Sequence, residues 1–78
     1  MIDIAALTAT TAMSAFDWAD ADAEQATAAL AGAPLARVID AAEDTVVVFA
    51  DGQALRVFQR DPFAGVFVYQ IGRPRDGA

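Results

Sequence analysis

The sequence predicts an α+β fold in which one long helix, with two helices as the alternative, packs on a four-stranded antiparallel β-meander. Three observations carry that expectation. Asp51-Gly52 separates two β-branched and aromatic runs, 45–50 and 53–58. An Asp-Gly pair in that setting is the strongest short-range hairpin signal, because a two-residue turn requires φ > 0 at both positions. Asp61-Pro62-Phe63-Ala64-Gly65 supplies a second turn ahead of a third run, 66–71, with proline suited to a second turn position and glycine to a left-handed one. Upstream, Phe16, Ala19, Ala23, Ala26 and Leu30 recur at spacings of three and four, which is one stripe of a helix.

Residues 3–13 read as a short helix capped by Asp3, with Ile4, Leu7 and Thr11 on one face. Three threonines in four residues weaken it, since β-branched side chains lose rotamer freedom in a helix. Ser14, with Asp17 three residues on, approximates a capping box, so the main helix is expected over 15–31, with Asp20 as an alternative start. Gly32 offers a left-handed C-terminal position and Pro34 forbids continuation. Leu-Ala-Arg-Val-Ile-Asp, 35–40, is the first strand, followed by a polar connection and then the hairpin. The whole chain, 1–78, is one small domain, and 72–78 is expected to be a frayed end.

A two-residue turn at Asp51-Gly52 would set Val48 opposite Leu55 and Phe49 opposite Ala54. One sheet face would then carry Val46, Val48, Ala50, Leu55 and Val57 against the alanine-rich helix. The other would carry Phe49, Arg56 and Phe58, with Val47 and Arg60, facing outward. Such a face is unusually apolar for open water. Either residues 1–13 or a curled sheet cover it, or it is an interface.

Charge narrows the function classes. Eleven acids against five basic residues, all arginine, give a net charge of −6. The acids of residues 1–36 (Asp3, Asp17, Asp20, Asp22, Glu24) have no basic residue among them. Such a chain repels nucleic acid and anionic membrane and attracts basic partners. Cysteine and histidine are both missing, which removes disulfides, imidazole acid–base chemistry, Ser-His and Cys-His nucleophile pairs and nearly all transition-metal sites. The first charge is Asp3 and the N-terminal stretch is threonine-rich, unlike a secretory leader. No run approaches the ~20 apolar residues of a membrane span. A cytoplasmic protein is expected.

The candidate site is the acidic row. Asp17, Asp20 and Glu24 fall in one sector of the expected helix, with Asp22 further round. They either decorate a solvated face and complement the helix dipole, or imitate phosphates for a basic partner. Trp18 projects near Asp22 and Gln25, away from the apolar stripe, where it could anchor an interface. If the helix starts at Asp20 instead, Trp18 folds back into the core. Asp20-Ala21-Asp22-Ala23-Glu24 opens like a calcium loop, but Gln25 and Ala31 stand where glycine and glutamate are needed. No catalytic, cofactor-binding or metal-ligating residue is assigned, and no enzyme is expected.

In size, acidity, lack of Cys and His and lack of a catalytic set, the chain resembles the anti-CRISPR and related phage-encoded inhibitor proteins. The resemblance is one of profile over the whole chain. No motif carries it, so no family residue transfers. It implies a non-enzymatic inhibitor that blocks a basic, nucleic-acid-binding surface of a partner, with a CRISPR effector complex as that partner. The alternative is a homodimeric structural or regulatory subunit that associates through the outer sheet face at Phe49, Arg56 and Phe58.

Overall fold

A computed structural model describes residues 6–41, 44–61 and 65–75. The elements in chain order are α1 (Ala9–Ala15), β1 (Phe16–Ala21), α2 (Ala23–Gly32), β2 (Leu35–Asp40), β3 (Asp44–Phe49), β4 (Ala54–Asp61) and β5 (Val66–Pro74). All strands join one antiparallel sheet of order β1-β5-β4-β3-β2. This corrects the expected architecture. Among the described residues the sheet has five strands rather than four, and two short helices replace the long one.

The expected helix over 15–31 is divided by β1. Phe16, Trp18 and Asp20 alternate with Asp17, Ala19 and Ala21, a period of two that suits a strand. The alanines satisfied a helical stripe equally well, because alanine commits a segment to neither pattern. The open edge of β5 decides the matter: Trp18 pairs with Gly72 and Ala19 with Ile71. The helix start is displaced accordingly. Asp22 Oδ1 accepts the Gln25 N–H at 2.7 Å, and Gln25 Oε1 accepts the Asp22 N–H at 2.9 Å, a reciprocal box of the D-x-x-Q kind. Gly32 is the last residue of α2 rather than a left-handed cap, since only Gly52 and Gly65 have positive φ among the described residues.

The threonines that weakened the first helix in fact begin it. Thr8 Oγ1 accepts the Thr11 N–H at 3.2 Å, and Thr11 Oγ1 accepts the Thr8 N–H at 2.7 Å. A hydroxyl that is neutral inside a helix is an asset at its cap. Asp3 and Ile4, placed in that helix by the sequence, lie outside the described residues.

The hairpin falls where expected, with a different turn. Phe49 O accepts the Gly52 N–H at 3.0 Å, and the Phe49 N–H reaches Gln53 O at 2.8 Å. Gly52 has φ 92° and Asp51 has no positive φ. Ala50, Asp51 and Gly52 therefore form a three-residue loop, a turn closed by a left-handed glycine. The extra residue moves the register by one: Val48 pairs with Ala54 and Val47 with Leu55. A shift of one exchanges the faces of a strand. Phe49 and Leu55 consequently share a side, and Phe49 stands opposite Arg56 and Phe58. The expected outer patch of Phe49, Arg56 and Phe58 does not form.

Helices cover both faces. On one, Leu7 and Ala12 pack with Phe16, Val46, Val48 and Ala54; on the other, Ala26 packs with Val47, Phe49 and Leu55. β3 lies between these layers, and Val46 through Phe49 are all buried. Gly72, Arg73 and Pro74, in the stretch expected to fray, instead extend β5 along β1. The Arg75 N–H also donates to Ala15 O at 3.2 Å. Residues 76–78 lie outside the described residues.

Candidate binding surface at the β1 edge

β1 ends the sheet and presents side chains to both layers. Register puts Phe16, Trp18 and Asp20 on the α1 face, with Asp17, Ala19 and Ala21 on the α2 face. Trp18 thus leaves the exposed helical position and, as in the alternative, packs back against the core, though from a strand. Its six-membered ring packs against Gly72, where an added Cβ would come within 2.7 Å of the indole. Phe16 is tilted against it at a centroid distance of 5.5 Å. Gly72 is needed for this close approach rather than for its φ. Trp18 Nε1 is buried without a hydrogen-bond partner among the described residues.

The acids lie on β1 and at the start of α2, not along one helix. Asp17 pairs with Arg75 at 2.9 Å, with both side chains more than half exposed, so the pair adds little stability. Asp20 Oδ1 accepts a hydrogen bond from Gln70 Nε2 at 3.0 Å. Asp22 caps α2 and Glu24 lies in its first turn, where the helix dipole favours negative charge. All four are exposed. Asp17 and Asp20 line a groove of about 620 Å³ together with Ala19, Ala21, Ile71, Gln25 and Arg73. It exists because alanine leaves the sheet uncovered where larger side chains would fill it.

Asp20 ends a polar row that crosses four strands. Arg56 donates through Nε and Nη2 to Asp44 Oδ2 at 3.2 and 2.9 Å, and through Nη1 to Gln70 Oε1 at 2.9 Å. Gln70 passes the row to Asp20. The Arg56 guanidinium also lies 4.0 Å from the Phe58 ring centroid, a cation–π contact. Arg56 is therefore bonded into the sheet, and Phe49, 2% exposed on the other face, cannot join it in one interface. Sequence reasoning missed Gln70, Gly72, Arg73 and Arg75. Gln70 gave no signal alone, and the other three fell in a stretch read as a frayed end.

The described residues contain no group of three or more acidic side chains placed to hold a metal ion. They also contain no helix long and apolar enough to cross a membrane. No protein-family profile, curated protein or solved structure matches the chain.

Proposed function

We propose that the protein is a non-enzymatic inhibitor that binds a basic, nucleic-acid-binding surface of a partner through the acidic end built by β1 and the start of α2. The observation that supports this reading is that Asp17, Asp20, Asp22 and Glu24 are all exposed on the edge strand and the helix start that follows it, with Asp17 and Asp20 lining the groove there. Carboxylates held at that density raise the local negative potential, steer a cationic partner and turn away nucleic acid. Two of them are fixed by backbone or side-chain hydrogen bonds, so little ordering is lost on contact. The resemblance in profile makes a CRISPR effector the first partner to try.

The experiment captures partners from lysate of the source cells on immobilised protein. Wild type is compared with a variant carrying Asp17→Asn, Asp20→Asn, Asp22→Asn and Glu24→Gln, at two salt concentrations. The expected result is a retained protein that DNA or RNA releases. The acid variant should capture it more slowly, and that deficit should shrink as salt rises, because exposed charges are screened beyond ~8–10 Å. A partner that nucleic acid does not displace, or one held equally by the variant at low salt, overturns the reading.

A further inference from the structure

We infer that the partner engages β1 by strand addition: an extended segment with alternating basic and apolar side chains pairs antiparallel with the open edge of β1. This rests on the reading of the acidic end just given and specifies how that end is used.

The backbone makes the first part of the case. The Arg75 N–H bonds Ala15 O, and from there the register advances one for one to Ala21 opposite Tyr69. Antiparallel ladders alternate bonded and non-bonded pairs, so Asp17, Ala19 and Ala21 turn their N–H and C=O groups toward β5. Trp18 and Asp20 turn theirs away, to the side where no further strand lies among the described residues. An incoming strand finds donors and acceptors already in extended geometry.

Side chains specify which strand fits. Residues paired with Trp18 and Asp20 share their face. Arginine there meets an indole and a carboxylate, through cation–π and charge-assisted contacts. The intervening residues fall on the α2 face, beside Ala19 and Ala21, where the groove has room for a branched apolar side chain. Carboxylates flanking the edge oppose pairing with a second acidic copy, while they attract a cationic strand. The opposite edge, β2, differs in both respects: a register irregularity between Leu35 and Arg37 distorts it, and the acidic row is far across the sheet.

The test uses the full chain and the labelled peptide acetyl-(Arg-Val)3-amide, with binding read by fluorescence anisotropy at low salt. In antiparallel pairing the arginine N–H groups point at β1 and the valine N–H groups point away. N-methylation of the arginines should weaken binding about tenfold or more, and N-methylation of the valines should change it little. The acidic peptide acetyl-(Glu-Val)3-amide should not bind. To place the strand, Asp20→Pro is compared with Asp20→Asn: both lose the carboxylate, but only proline removes the outward N–H. The proline variant should bind the parent peptide more weakly than the asparagine variant, at matched melting temperature.

If the arginine-methylated peptide binds like its parent, strand addition is overturned while charge attraction stands. If Asp20→Pro and Asp20→Asn bind alike, the strand adds elsewhere and the assignment to β1 is overturned. If the parent peptide fails to bind, the inference falls; release of the captured partner by nucleic acid remains the separate measure of the function.

Discussion

The two faces of the sheet are covered by different means. On the α1 face, Phe16 and Ala12 are fully buried over Val46, Val48 and Ala54, and Trp18 continues the cover from the edge strand itself. On the α2 face the cover is alanine. Ala26, Ala29 and Ala33 let the helix lie close to Phe49 and Leu55, while Val57, Tyr69 and Ile71 remain only partly buried. Large side chains seal the centre of a face and tolerate little change there. A small-residue helix seals a narrow strip and leaves margins open, one of them the groove along β1.

The largest expected effects test that contrast at its centre. Phe16→Ala and Phe49→Ala each remove a ring that is 0% and 2% exposed, and each should cost about 3–5 kcal/mol in urea unfolding. That is a large share of the total for so small a domain. Phe16→Ala should be the worse of the pair, because it also frees Trp18. A smaller loss at Phe16 than at Phe49 would show that the α1 face is not the tighter one.

Gly72→Ala comes next. The new Cβ would sit 2.7–3.0 Å from three indole carbons, and overpacking of this kind costs about 1–3 kcal/mol. Combining it with Trp18→Leu should recover part of the loss. Simple additivity in that double variant would mean that the indole is not what fills the space. Gly52→Val acts on both faces together, since its turn sets their register. With φ 92°, and only Pro74 among the described residues within 4 Å of an added Cβ, the cost is backbone strain of about 1–2 kcal/mol. An unchanged melting temperature would rule out the left-handed turn.

The smallest effect belongs to the α2 layer. Asp22→Ala removes the cap that accepts the Gln25 N–H and should cost about 1 kcal/mol, whereas Asp22→Asn should be nearly neutral. Equal losses in the two would mean that the charge, rather than the cap, supports α2.

The candidate site was legible in composition and not in form. Asp17, Trp18 and Asp20 lie on an edge strand and Asp22 and Glu24 at a helix start, instead of on one helix face. Two local signals pointed that way: aromatic residues at 16 and 18, and the Asp22/Gln25 box. The alanine stripe outweighed both, because a run of alanine fits a helical template wherever it is laid. Gly72-Arg73-Pro74 looked like a loose end for a related reason. Its order comes from β1, more than fifty residues away in the chain.

By itself the sequence determined four of the five strand-forming runs, the place of the hairpin, the two turn glycines and the one-sided acidity. These rest on local chemistry: β-branching, the φ open to glycine, and fixed charge. Only the tertiary structure decided that 16–21 is a strand, that the hairpin loop holds three residues, and that the helices take opposite faces. Each of those depends on a partner distant in sequence. β5 must offer an open edge before β1 can pair, and both core layers must close before one register outweighs the next. A shift of one residue costs nothing locally and turns every side chain to the other side of the sheet.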